Sequence, residues 1–329
     1  MKLPRRNFLN LAAGAVAFLA RVARAQTYPL RPINIIVGYP AGGPTDTIAR
    51  IVAEYMKTPL GQSVVVENVT GASGSIGAGR VARAAPDGYT LSVGDWSTHV
   101  VNGAIYPLQY DLLNDFEPIA LLPSWPQLIV TKNAVPARDM KELIAWLKAK
   151  AHQEKASYGT GGAGSPSQVS GLLLQKLTGL QFQFVPYRGG APLLQDLIAG
   201  QIDLTMAAAS TFLPAVRAGK ITAYAVTAKV RWAAAPEIPT VDEAGLPGLY
   251  ISAWRGLWAP KGTPKSVVAK LNAAVAEGLS DPAVRQRLAQ MGEEIPPADH
   301  QSPEALGVFQ KAEIEKWWPI IKEAGASAE

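Results

Sequence analysis

Two α/β lobes with a ligand cleft between them are what this sequence predicts, and three observations predict it. Short apolar runs rich in β-branched residues alternate with stretches of 3.6-residue periodicity from Ile33 to Thr227. Glycine-rich turns follow several of those runs, at 38–46, 69–75 and 159–165. They therefore fall on the carboxyl edges of the sheets, where open α/β sheets hold ligands. Third, the alternation stops after Pro247 and Gly248 and gives way to helices with no strands of comparable strength between them. These helices are expected to fold back over the first lobe. The chain then crosses between lobes near Leu122 and near Tyr250. The expected division is 26–122 with 251–329 as one domain and 123–250 as the other, each a mainly parallel sheet flanked by helices.

The N-terminal 25 residues stand outside this fold. Lys2, Arg5 and Arg6 precede an apolar run from Phe8 to Ala20, and Ala23-Arg24-Ala25 closes the stretch. This is the three-part pattern of a cleaved secretory signal, and the apolar run is shorter than the ~20 residues that span a bilayer. Pro4-Arg5-Arg6-Asn7-Phe8-Leu9 also fits a twin-arginine signal. Cleavage is expected after Ala25.

The first strand is Ile33 to Val37. A turn, Ala41-Gly42-Gly43-Pro44-Thr45-Asp46, leads from it into a helix whose face carries Ile48, Ile51, Val52, Tyr55 and Met56. The glycines bend the backbone and let a ligand approach, and Pro44 suits a first helical turn. Free N–H groups at such a helix start favour an anion. Any βα turn shares some of these features. Ser63 to Asn68, a turn at Gly71 to Ser75, a helix from Ile76 to Ala84 and a strand from Tyr89 to Val93 complete a βαβαβ unit.

A second series runs from Gln127–Thr131 through a helix capped by Asp139 and a strand at Ala156–Tyr158. The turn Gly159–Ser165 and the helix Ser167–Leu177 follow. Strands at Phe182–Tyr187, Ile202–Met206 and Ile221–Thr227 alternate with helices at Ala191–Ala199, closed by Gly200, and Thr211–Ala218. A last strand spans Tyr250 to Ala259. Thr263-Pro264, Asp281-Pro282 and Ser302-Pro303 each read as a capped helix start.

Composition excludes several chemistries. The full chain has 31 Lys and Arg against 26 Asp and Glu. Five of the bases lie in the signal, so the remainder carries 26 of each sign. That balance gives no footprint for nucleic acid. With 0 cysteines there is no disulfide, thiolate nucleophile or Cys-ligated metal. Three scattered histidines, His99, His152 and His300, lack metal-ligand spacing.

Two motifs compete for a catalytic reading. Gly159-Thr-Gly-Gly-Ala-Gly164 satisfies the dinucleotide fingerprint G-x-G-x-x-G, but the next strand, Phe182–Tyr187, brings no acid for the ribose. A second anion cradle with Ser165 and Ser167 at a helix start reads better. Ser97 and His99 are close in sequence, but no G-x-S-x-G elbow accompanies them, and the pair reads as polar lining. Trp317 and Trp318 read as packing, while a hinge or pocket role stays open for Trp254.

Five longer stretches resemble one family. They are Tyr-Pro-Ala-Gly-Gly-Pro-Thr-Asp (39–46), Val-Glu-Asn-Val-Thr-Gly-Ala-Ser-Gly-Ser-Ile-Gly (66–77), Pro-Asp-Gly-Tyr-Thr-Leu (86–91), Val-Pro-Tyr-Arg-Gly-Gly-Ala-Pro (185–192) and Trp-Arg-Gly-Leu-Trp-Ala-Pro-Lys-Gly-Thr-Pro (254–264). Together they are similar to the Bug family, periplasmic solute receptors of tripartite tricarboxylate transporters, over the whole mature chain. The resemblance implies a type II-like periplasmic binding protein that closes on a small carboxylate, with no cofactor and no catalysis. Its implied partners are that carboxylate and the membrane permease subunits, and the receptor is expected to be a monomer. In the family the loops equivalent to 39–46 and 159–167 face each other across the ligand. The expected ligand-binding residues are Tyr39, Ala41, Gly42, Gly43, Thr45 and Asp46 from the first loop. Ser97 and Thr98 follow the third strand, and Gly162, Ala163, Ser165, Ser167 and Asp203 come from the second lobe. Tyr39 stands where the family commonly has Phe, and Asp-Trp-Ser-Thr-His at 95–99 is also atypical. An exported oxidoreductase using Gly159 to Gly164, and a receptor that senses rather than transports, remain as alternatives.

Overall fold

A computed structural model describes residues 28–162 and 164–323, so the expected signal segment and Ala163 lie outside the described residues. In chain order the elements that position the cleft are β1 (Ile33–Val37), α1 (Pro44–Leu60), β2 (Val64–Asn68), α2 (Ser75–Ala82) and β3 (Thr90–Asp95). A wide helical turn at Ser97–Val101 leads into α3 (Asn102–Ile105). The long strand β4 (Phe116–Lys132) follows, then α4 (Met140–Ala151), β5 (Ala156–Thr160), α5 (Pro166–Thr178) and β6 (Phe182–Pro186). After them come α6 (Gly190–Ile198), β7 (Leu204–Ala208), α7 (Ala209–Arg217), β8 (Ile221–Val226) and β9 (Ser252–Pro260). The chain ends in α8 (Lys265–Ser280), α9 (Pro282–Gln290) and α10 (Pro303–Glu323).

These strands form one curled sheet in the order β2-β1-β3-β9-β4-β7-β5-β6, with β8 also paired to β4. The strands expected to be parallel are so where a helix joins them: β1 with β2 and β3, and β5 with β6 and β7. The middle differs. β9 is antiparallel to β3 and to β4, and β4 is antiparallel to β7 and β8. The sheet is therefore mixed, because its two central strands arrive by long connections rather than by right-handed helical crossovers.

β4 is the strand that joins the two halves. It pairs with β9 from Phe116 to Pro126, then with β7 and β8 from Gln127 to Lys132. Its register with β9 breaks between Leu122 and Trp125, where one crossing is expected, and β9 starts two residues after Tyr250, where the other is expected. The break leaves the Pro123 carbonyl outside the ladder, and the Arg255 guanidinium takes it at 2.9 Å. Arg255 is fully buried. Glu293 meets its charge at 2.8 and 3.2 Å, and the Trp125 ring lies 4.0 Å from its guanidinium carbon.

The helices dock as their apolar faces dictate. α1 buries Ile48, Ile51, Val52 and Met56 with α8, which presents Val267, Val268, Leu271 and Val275. α10 sets Trp317 edge-on to Trp96 at 5.3 Å and ties Trp318 Nε1 to the Val100 carbonyl at 2.8 Å. Trp254 lies here too. It donates to Glu313 of α10 at 3.1 Å, so it fastens β9 to α10. Of the expected caps, Asp139, Ser165, Asp281 and Ser302 each accept an N–H at a helix start. Thr263 instead bonds the Pro260 carbonyl at 2.8 Å, and α8 starts two residues later.

Glu293→Gln would leave the Arg255 cation buried without its counter-charge. It should destabilise the fold by about 3–5 kcal/mol, whereas an apolar replacement of both partners should recover much of that loss. Urea unfolding of the single and double variants measures the difference.

Candidate functional site

One large cleft of about 740 Å³ opens between the two halves of the sheet. The β1–α1 loop and the end of β3 line one side, and the β5–α5 loop, the β6–α6 turn and the start of α7 line the other. Trp125 and Gln127 of β4 and Ala253 of β9 lie between. The three turns on the carboxyl edge thus converge, as the alternation of strand and helix requires.

The first loop is built around Asp46. Its carboxylate is almost wholly buried and accepts from Gly42 N–H at 2.8 Å, Arg50 Nε at 2.9 Å and Asn68 Nδ2 at 2.8 Å. Burial pushes its pKa up, but the hydrogen bonds from Arg50, Gly42 and Asn68 outweigh it and hold the group below its ordinary value. Gly42 can turn back to meet this carboxylate because its φ is +80°, a left-handed conformation that glycine takes without strain. Gly43 caps α1 in extended conformation, and its N–H goes to the Pro40 carbonyl. Thr45 and Asp46 then stand at the second and third helical positions, where N–H groups have no intrahelical acceptor.

The opposite loop uses most of its own donors. Gly161 N–H binds Ser167 Oγ at 2.8 Å, Gly162 N–H binds Thr160 Oγ1 at 3.3 Å, and Gly164 N–H binds Gln168 Oε1 at 2.8 Å. Ser165 N–H binds the Gly162 carbonyl, and the Ser165 and Ser167 hydroxyls lie 3.1 Å apart. These described glycine N–H groups are occupied, so the fingerprint offers no ready cradle for a pyrophosphate. What faces the cleft is the pair of serine hydroxyls at the start of α5, beneath its positive dipole end.

Of the expected ligand residues, Tyr39, Ala41, Gly42, Gly43 and Thr45 line the cleft from the first loop. Ser97, Ser165 and Ser167 line it as well. Gly162 does not, and Ala163 lies outside the described residues. Asp46 and Thr98 are buried behind the wall. Thr98 supports Asp95, giving its N–H to the carboxylate at 3.0 Å. The structure places Asp203 elsewhere. It precedes β7 and so sits at the amino edge of the sheet, bound by Ser157 N–H at 2.9 Å and Lys132 Nζ at 2.8 Å. It was expected in the cleft although ligands gather at strand ends, and Asp203 stands at a strand start. His99 is corrected too. Its ring stacks on Trp258 at 3.7 Å in full burial, which lowers its pKa to about 3, so it belongs to the core rather than the lining.

The lining residues outside the expected set include Asp95, Trp125 and Arg188. Asp95 ends β3 and Arg188 follows β6, so both stand at carboxyl edges that the strand pattern already marked. Tyr39 and Thr45, expected to touch ligand, turn their hydroxyls to Asp95 at 2.9 and 3.3 Å. Burial, then hydrogen bonds and the nearby Arg255 charge, act on Asp95, and burial wins: its pKa is raised. Tyr39 is pushed well above its usual value, by burial first and by the Asp95 charge next.

A curled α/β sheet with one cleft across its carboxyl edges, walled by two helix starts, defines a solute-binding architecture. A family model described as "Tripartite tricarboxylate transporter family receptor" matches residues 48–326, and the chain belongs to that family. An Agrobacterium vitis relative, the UPF0065 protein in the TAR-I ttuE–ttuC' intergenic region, is 41% identical over 306 residues, spanning 92% of this chain and 88% of its own. MatC from Rhodopseudomonas palustris, solved with bound malate, is 40% identical, with a TM-score of 0.77 over 89% of this chain and 100% of that one. A second R. palustris protein, solved with adipate, is 33% identical, with a TM-score of 0.78 over 92% and 100%. Receptors of this family are periplasmic substrate-binding proteins. Among the described residues no helix is long and apolar enough to cross a membrane.

Asp46→Asn tests the first loop. Because the folded carboxyl has a lowered pKa, its contribution to stability is full above the ordinary value of 3.8 and is lost as pH falls through the folded value. The variant should be about 1–3 kcal/mol less stable than wild type at pH 7. That gap should close on acidification, as read by thermal melts across pH.

Proposed function

We propose that this chain is a periplasmic receptor that captures a small organic carboxylate and delivers it to the permease of a tripartite transporter. It acts as a monomer and performs no covalent chemistry. The observation that carries this reading is the convergence of two helix starts, α1 and α5, on one cleft, with Ser97, Ser165 and Ser167 hydroxyls and Arg188 around it. Helix N-termini and hydroxyls bind a carboxylate without a fixed cluster of cations. Malate and adipate in two relatives support a ligand of this class.

In this reading the carboxylate takes the α1 start at Gly43 to Thr45 on one side and the α5 hydroxyls on the other. The lobes are 26–122 with 251–329, and 123–250. A ligand touching both favours the state in which they close, and the bending falls where the β4 register breaks and β9 begins. The permease then recognises a loaded receptor by its shape.

A thermal-shift screen of mono-, di- and tricarboxylates checks the ligand class. A true ligand at about 100 times its Kd should stabilise the fold by about 2.7 kcal/mol. No shift with any carboxylate would end this reading. Small-angle scattering at saturating ligand checks closure. The radius of gyration should fall on binding, and an unchanged radius would count against the hinge.

A further inference from the structure

We infer that the ligand is zwitterionic: a carboxylate that also carries an ammonium group, with Asp95 as the counter-charge to that ammonium. This rests on the carboxylate-receptor reading above and narrows it.

Two charged side chains stand among the described residues lining the cleft, and they differ in sign and side. Arg188 follows β6 on one wall and is exposed, with no acid paired to it. Asp95 ends β3 on the other wall. A plain dicarboxylate would place two negative charges in a cleft that already holds one. A ligand bearing both signs meets both walls.

Asp95 is held as a binding group is held. Tyr39 OH and Thr98 N–H fix one carboxylate oxygen, at 2.9 and 3.0 Å. The other oxygen receives the Thr45 hydroxyl alone, at a long 3.3 Å, and retains acceptor capacity. No cation of the protein completes it. Arg255 lies opposite Asp95 in the β3–β9 register, yet its guanidinium turns to both oxygens of Glu293 and to the Pro123 carbonyl. Asp95 has no ion-pair partner among the described residues. A half-buried carboxylate without a direct ion-pair contact is costly, and an incoming ammonium lowers that cost. Tyr39 and Trp125 also line the cleft. Asp46, the other acid of this region, is excluded from the role because Gly42, Arg50 and Asn68 already occupy both its oxygens.

Calorimetry on the intact mature chain tests the assignment with matched probes. Succinate is compared with aspartate, glutarate with glutamate, and adipate with 2-aminoadipate, alongside ω-amino acids of the same lengths. The tightest binder should carry an ammonium and should exceed its plain counterpart roughly tenfold or more, the scale of a charge-assisted hydrogen bond. Asp95→Asn, which keeps the shape, should erase that preference. The wild-type series requires no variant to fold. If plain dicarboxylates bind as tightly as their aminated counterparts, this inference fails while the carboxylate-receptor reading stands. A preference that survives in a folded Asp95→Asn variant also overturns it. If no probe of this set binds, the inference fails, and the carboxylate-receptor reading is decided by the wider thermal-shift screen.

Discussion

Arg255 brings a full positive charge into a place without water, and much of the molecule is arranged to meet it. Desolvating a guanidinium costs several kcal/mol unless geometry and hydrogen bonding are good. Here one carbonyl, one carboxylate and one aromatic face meet the two terminal nitrogens, while Nε has no partner among the described residues. The groups come from three parts of the chain. Pro123 and Trp125 belong to the irregular part of β4, Arg255 to β9, and Glu293 to the connection after α9. Glu294 next to it bridges back to Ser124 through paired backbone bonds of 3.0 and 2.7 Å. The break in β4 is therefore a built feature. It frees the carbonyl that the guanidinium needs, at the point where the strand leaves one half of the sheet for the other.

The two loops above this floor solve the same problem in opposite ways. A glycine-rich turn exposes backbone N–H groups, and each must find an acceptor. In the first loop a side chain behind the wall, Asp46, gathers Gly42 and leaves the helix start facing outward. In the second loop the acceptors are the loop's own hydroxyls and the Gln168 amide. The cleft thus presents few free donors, and they lie at helix starts rather than along the glycines.

Much of the fold was legible in the sequence, for reasons that differ by element. β1 and β2 combine β-branched runs with a following glycine turn, so period and punctuation agree, while β5, Ala-Ser-Tyr-Gly-Thr, is marked mainly by the glycine turn. Residues Pro44, Pro166 and Pro282 marked helix starts because their fixed φ and missing N–H suit a first turn. β4 was seen only in part, at Gln127 to Thr131. Its earlier half contains Pro118, Pro123 and Pro126, which break the strand pattern, and only pairing with β9 keeps them extended. The site was legible as an edge but not as a set of roles. Asp46 and Asp95 both follow strands and both look available. Which of them faces ligand depends on Arg50, an i, i+4 neighbour of Asp46, and on Asn68 and Tyr39, contacts across 22 and 56 residues that no local pattern encodes.

That division of labour between two acids also explains why the cleft tolerates Asp95 at all. Negative charge beside a carboxylate site is unfavourable, and a lowered local dielectric makes it more so. The structure holds Asp95 in place with a phenol, a threonine hydroxyl and a backbone N–H, all neutral donors. Neutral donors orient a carboxylate without cancelling its charge. Asp46, by contrast, is paired with Arg50 and so adds little field to the cleft. Had Asp95 been paired with Arg255 across the β3–β9 register, it would be electrically silent in the same way. Because Glu293 takes that guanidinium's hydrogen bonds instead, the buried ion pair that stabilises the floor also leaves Asp95 without a direct ion-pair contact, and the Arg255 charge reaches it only at a distance.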